Sequence, residues 1–220
     1  MENLRILSMN LGRRFVPIKD KSKRELITSY INEEKYNIVM LQGNKINNSI
    51  NINCLENYKP VNYNNRNAIL HDLTLRCFRG DFESRVINSS IVDWGNYLAC
   101  ISVNCKSFLD IDNVLDVCYD YSNPTSSYYV ESRVVTGRFP KGFDIGDFCD
   151  KYDLEDVSSL VGKDIHVKNN KEMLNHLFVS RDIEVINIHK LVGMTEVSKI
   201  GEAYPIELTI KPRTLKKVLK

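Results

Sequence analysis

The side chains able to do chemistry in this 220-residue chain are thinly spread. His71, His166 and His189 stand isolated and share no ligand spacing, so surface or core roles are expected for them. His176 lies in an apolar run, where a structural hydrogen bond is the expected role. The six cysteines (Cys54, Cys77, Cys100, Cys105, Cys118, Cys149) form no C-x-x-C pair. Several sit in apolar runs, where a free thiol behaves as a small buried hydrophobe, so reduced cysteines in an intracellular core are expected. Arg13, Arg14, Lys19, Lys21, Lys23 and Arg24 make a basic run, read first as a solvated loop. Trp94, in the turn-like Asp93-Trp94-Gly95-Asn96, is expected to pack on a sheet edge. No spacing announces a chemistry, and separated residues can only meet through the fold.

Composition bounds that fold. Hydrophobic residues make up 43% and charged residues 26%, an ordinary globular balance that argues against disorder. The net charge of +2 gives no global electrostatic case for nucleic acid, though local patches stay open. Residues 1–10 lack the apolar stretch of a signal peptide, and no run approaches the length that spans a bilayer. A cytoplasmic protein is expected.

Along the chain, 4–9 is a short apolar strand ending at Asn10-Leu11-Gly12. Residues 22–35 read as an amphipathic helix with Leu26, Ile27, Tyr30 and Ile31 on one face, and Ser22 with Glu25 matches a capping box. Residues 37–42 form an apolar run typical of a strand buried on both faces. Strand signals follow at 67–79, 86–92 and 97–104, a helix at 111–121, and a turn at Asn123-Pro124. Residues 128–136 are strand-like up to Gly137. After a loop-rich stretch come strands at 173–180, 183–188 and 204–210.

The order of these segments, with the residues at their ends, resembles the endonuclease/exonuclease/phosphatase superfamily, the DNase I-like fold. The resemblance implies a four-layer α/β/β/α sandwich of two mixed β-sheets flanked by helices, spanning residues 1–211, with 212–220 a basic tail. "LSMNLG" supplies the asparagine that ends the family's first strand, Asn10. "IVMLQGNK" matches the strand that ends in Leu-Gln-Glu, but the metal-holding glutamate is Gly43. "VVTGRFP" fits the Gly-Asp-Phe-Asn frame with Arg138 for the aspartate and Pro140 for the asparagine. "LNHLFVS" has Asn175 for an aspartate and keeps His176. "GEAYPIEL" has Glu202 for an aspartate and Ala203 for the catalytic histidine. A competing frame, "DIGDFCD", contains Gly146-Asp147-Phe148 with Cys149 in the asparagine place.

The resemblance implies phosphodiester or phosphate-ester hydrolysis with magnesium, whose hard charge requires carboxylate oxygens. Gly43 offers no ligand, and Arg138 places a permanent cation where a metal would sit. At intermediate dielectric that charge repels a cation by about several kcal/mol. Losing a general acid/base, as at Ala203, costs roughly a hundredfold or more in rate. The expectation is therefore a non-catalytic protein without cofactor, which binds through its former active-site face. Arg13, Arg14 and Arg138 are the candidate binding residues, because the loop after Asn10 would border the ancestral groove and meet phosphate there. Pairing of Arg138 with Glu202 would instead close the site. Two alternatives stay open: a divergent magnesium-dependent hydrolase using Asn10, Asp147 and Glu202, and a protein-interaction module. Partner protein and nucleic acid rank about level.

Overall fold

The computed structural model describes residues 3–11, 21–43, 55–64, 66–157, 175–191 and 205–212. Arg13, Arg14, Cys54, His166, Glu202, Ala203 and the tail beyond Pro212 lie outside these residues.

Two mixed six-stranded sheets face each other, with helices on their outer faces. The first has the order β11 (Ile183–Lys190), β12 (Ile206–Pro212), β1 (Leu4–Asn10), β2 (Ile38–Gln42), β4 (Asn67–Asp72), β3 (Tyr58–Tyr63). The second has the order β5 (Arg76–Glu83), β6 (Ile87–Asp93), β7 (Tyr97–Asn104), β8 (Ser132–Arg138), β10 (Asn175–Ser180), β9 (Leu154–Asp156). The pairs β1–β2 and β7–β8 are parallel; the other pairs are antiparallel. Helix α1 (Lys21–Glu34) buries Ile27, Tyr30 and Ile31 against Leu7, Val39 and Leu70 on the outer face of the first sheet. Helices α2 (Ile111–Ser122) and α3 (Ile145–Tyr152) cover the second sheet, burying Val114, Cys118, Phe148 and Tyr152 against Ile101, Val135 and Phe178. This is the expected four-layer sandwich.

Several local expectations need correction. Helix α1 already contains Ser22, so Ser22 is not its N-cap. The signal at 67–79 is two strands in different sheets. Asp72 Oδ1 accepts hydrogen bonds from the Thr74 amide and hydroxyl (2.7 and 2.6 Å), and this turn carries the chain from one sheet to the other. Trp94 is 7% exposed and packs between the sheets rather than on an edge, because the β6–β7 turn folds it over Val92 and Leu98. Strand β3, unread in the sequence, is an edge strand interrupted by Pro60, which has no amide to donate; its register shifts between Pro60 and Asn62. The loop-rich stretch contains the short helix α3. Asp144 caps α3 by accepting from the Asp147 amide at 3.0 Å, and Asp153 ends the helix in the left-handed region at φ 52°.

The described cysteines (77, 100, 105, 118 and 149) are all free thiols. Burial pushes the Cys118 thiol up to about 12, so it stays protonated in the core. Among the described residues no helix is long and apolar enough to cross a membrane.

Candidate functional site

Strand alternation sends every second side chain into the space between the sheets. On seven strands that inward series changes character along its length. It runs Leu4, Ile6, Ser8, Asn10 on β1 and Ile38, Met40, Gln42 on β2. It runs Leu98, Cys100, Ser102, Asn104 on β7 and Val134, Thr136, Arg138 on β8. The antiparallel strands show the same gradient in reverse: Ile69 to Asn67, Val92 to Asn88, Val179 to Asn175. One end of the interlayer is therefore dry and apolar, and the other is floored by amides, hydroxyls and one guanidinium. Burying so many polar groups is costly unless they are hydrogen-bonded, which makes this end the candidate site.

The floor is stitched across the two sheets. Ser8 and Thr136 share a hydrogen bond at 2.6 Å, and Gln42 Nε2 donates to Ser102 Oγ at 3.2 Å. Asn10 Nδ2 donates to Asn175 Oδ1 at 2.5 Å, joining the end of β1 to the start of β10. Asn104 Nδ2 donates to the Gly43 carbonyl at 3.1 Å, and Asn88 Nδ2 to the Asn67 carbonyl at 2.9 Å. Asn104 lies opposite Arg138 in the β7–β8 register, and the Cys105 amide donates to the Arg138 carbonyl at 2.9 Å. The half-buried Arg138 thus sits at the mouth of the interlayer, beside Asn104 and opposite Asn175 on β10. Buried amide atoms remain: Asn104 Oδ1 and Asn67 Nδ2 have no hydrogen-bond partner.

Glycine at 137 is required by the close passage of β7. Its φ is +137°, and an added Cβ would stand 1.9 Å from the Val103 carbonyl oxygen.

Of the residues read from the sequence, Asn10, Gly43, Arg138 and Asn175 meet at this end. His176 does not. It points to the opposite face of β10, stacks on Phe178 (5.6 Å between ring centroids), and places Nδ1 3.6 Å from Asp156 Oδ2. Pro140 follows β8 and is buried beyond it. Asp147 is exposed in the first turn of α3, away from any strand end, so Gly146-Asp147-Phe148 does not hold the strand-end position that Gly137-Arg138-Phe139 occupies. The amides Gln42, Asn67, Asn88 and Asn104 were missed in the sequence. The signal was present, since each closes or opens an apolar strand at an inward position.

The described donor set at this end does not suit a divalent cation. Neutral amides and a guanidinium stand where hard carboxylates would be needed, and among the described residues no three His, Cys, Asp or Glu side chains come together.

Solved structures share this architecture. The chain is similar to the human Nocturnin catalytic domain with bound sulfate anion (12% identity, TM-score 0.65, covering 96% of this chain and 94% of that one). It is similar to an endonuclease/exonuclease/phosphatase from Bacteroides vulgatus (10% identity, TM-score 0.63, 96% and 100%). A mannosyl-6-phosphatase from Bacteroides thetaiotaomicron matches at 13% identity and TM-score 0.61, over 94% and 99%. No family model and no curated protein matches the sequence. The fold is that of the endonuclease/exonuclease/phosphatase proteins.

Proposed function

We propose that this chain, built on the endonuclease/exonuclease/phosphatase fold, is a non-catalytic binding protein that holds an oxyanion at the amide-floored end without a metal ion. The observation that carries the reading is the neutral amide pair at that end: Asn10 and Asn175 bond to each other at 2.5 Å, and Arg138 is the register neighbour of Asn175. A hydrolase of this fold needs a cation-binding carboxylate set and an acid/base; the described residues at this end offer amides, hydroxyls and a guanidinium. A guanidinium with amide donors is a pre-formed cradle for phosphate or carboxylate, and needs no proton transfer to work at neutral pH. Anion chemistry also occurs among the structural neighbours: the Nocturnin catalytic domain carries a bound sulfate anion, and another neighbour is a mannosyl-6-phosphatase.

Isothermal titration with inorganic phosphate tests the proposal, alongside a phosphodiester and phosphomonoester hydrolysis assay in magnesium and in manganese. Saturable phosphate binding that weakens about tenfold or more in Arg138→Ala, with no turnover, is the expected result; one charge-assisted pair contributes about 1.5–3 kcal/mol. Turnover that depends on Asn10 or Asn175 would overturn it.

A further inference from the structure

Beside the position of Gly43 a cleft of about 540 Å³ opens, lined by Asn64, Arg66, Glu83, Ser84 and Arg85. It is made by different elements from those that carry Arg138: the turn between β3 and β4, and the turn between β5 and β6. Asn64 braces its walls with hydrogen bonds. Asn64 Oδ1 accepts from the Arg66 and Asn67 amides (2.7 and 2.9 Å), while Asn64 Nδ2 donates to the Ser84 carbonyl and to Asn88 Oδ1, both at 2.8 Å. One asparagine therefore ties both turns to the amide floor. Strand β5 reaches the cleft through a register shift between Arg79 and Glu83, where Gly80 passes so close to Ser89 that a Cβ would stand 2.1 Å from its Oγ.

The cleft and the Arg138 mouth are neighbours. The Arg66 carbonyl accepts from the Gly43 amide at 2.9 Å and from Asn104 Nδ2 at 3.4 Å, and Asn104 pairs with Arg138 across β7 and β8. One strand spacing plus one side-chain length separates the two backbones, on the order of 10 Å. Between them lie the two buried amide atoms without partners, Asn104 Oδ1 as acceptor and Asn67 Nδ2 as donor.

Charge decides what the cleft takes. Arg85 is already held by Asp110 at 2.9 Å, and Glu83 is itself engaged. Arg66, half-buried, makes no ion pair with any described residue and supplies the uncompensated cation. We infer that this cleft is a second oxyanion subsite, so that the ligand of the Arg138 site carries two acidic groups, one at each arginine, joined by a short polar spacer. The inference rests on the proposed function, because the first group must sit at Arg138.

The test is calorimetric titration of the whole chain with a series of linear alkanediol bisphosphates and the matching monophosphates, and with alkane dicarboxylates as a second arm that tells phosphate from carboxylate. Tethering makes the second contact intramolecular, so one bisphosphate length should bind at least about tenfold tighter than its monophosphate. Arg66→Ala should abolish that advantage while leaving the Arg138-dependent phosphate site in place, whereas Arg138→Ala weakens monophosphate and bisphosphate alike. Arg66→Lys, which keeps the charge, should retain part of the advantage. No advantage for any bis-anion of either arm, with phosphate binding still dependent on Arg138, overturns the subsite and leaves the proposed function standing. Absence of phosphate binding altogether overturns both.

Discussion

At the scale of single residues, the candidate site is marked by neutral amides at facing strand ends. Amides at 10 and 175 can satisfy each other, as two carboxylates facing each other without a cation could not. Their bond spans the sheets, so a double-mutant cycle on Asn10→Ala and Asn175→Ala in chemical denaturation should show coupling of about 1 kcal/mol; strict additivity would mean the pair is incidental. His71 is a fully buried titratable base. It sits between the sheets with Nε2 at 2.9 Å from Ser90 Oγ, and burial, with Lys59 as a lesser cause, pushes its pKa down to about 3. The unfolded chain takes up a proton near pH 6.5 and the folded one only near 3, so the unfolded state binds more protons between these values. Stability should therefore fall as pH drops from about 6.5 toward 3, and His71→Gln should flatten part of that fall in thermal melts. An identical pH profile for the variant would contradict the assignment. At this scale the sequence was informative wherever a landmark carried a side chain at a strand end. For His176 it suggested only a structural hydrogen bond, and the ring's stacking on Phe178 depends on the face of β10 it occupies.

At the scale of elements, the strands were legible because burial on both faces imposes continuous apolar runs, as at Ile38–Gln42 and Tyr97–Asn104. What resisted reading were elements held by something other than apolar pattern. Strand β3 is an edge strand broken by Pro60, and α3 is a short helix held by the Asp144 cap and by aromatic packing of Phe148 against Phe139 and Phe178. The split of 67–79 into two strands turned on an Asp72–Thr74 side-chain contact. The element that aims Arg138 is β8, and its aim depends on Gly137. A methyl at 137 would strike the Val103 carbonyl and also hold a side chain at φ +137°. Gly137→Ala should cost at least about 1–3 kcal/mol in denaturant unfolding, from backbone strain before the clash is counted. A variant as stable as the parent would show that β7 and β8 are not so closely apposed.

At the scale of the whole molecule, the net charge of +2 conceals segregation. Residues 106–157, which include α2 and α3, carry eleven carboxylates against five cations, and the rest of the chain is correspondingly basic. The proposed anion site rests on local placement of arginines rather than on a global field, so phosphate affinity should fall only modestly with salt, as for one or two neutralised charges. A steep, many-charge salt dependence would point instead to an extended polyanion. The fold could be recognised from segment order, because each strand end carries a residue whose place the topology fixes. The amide floor was missed although each amide marks an inward strand end, because these ends form one surface only once seven strands are assembled in two facing sheets. The central claim, that this end has exchanged metal chemistry for direct anion recognition, is met most directly by titrating manganese into the wild-type protein by calorimetry. The account predicts no saturable binding in the micromolar range. A one-site micromolar isotherm, abolished by Asn10→Ala or Asn175→Ala, would contradict it.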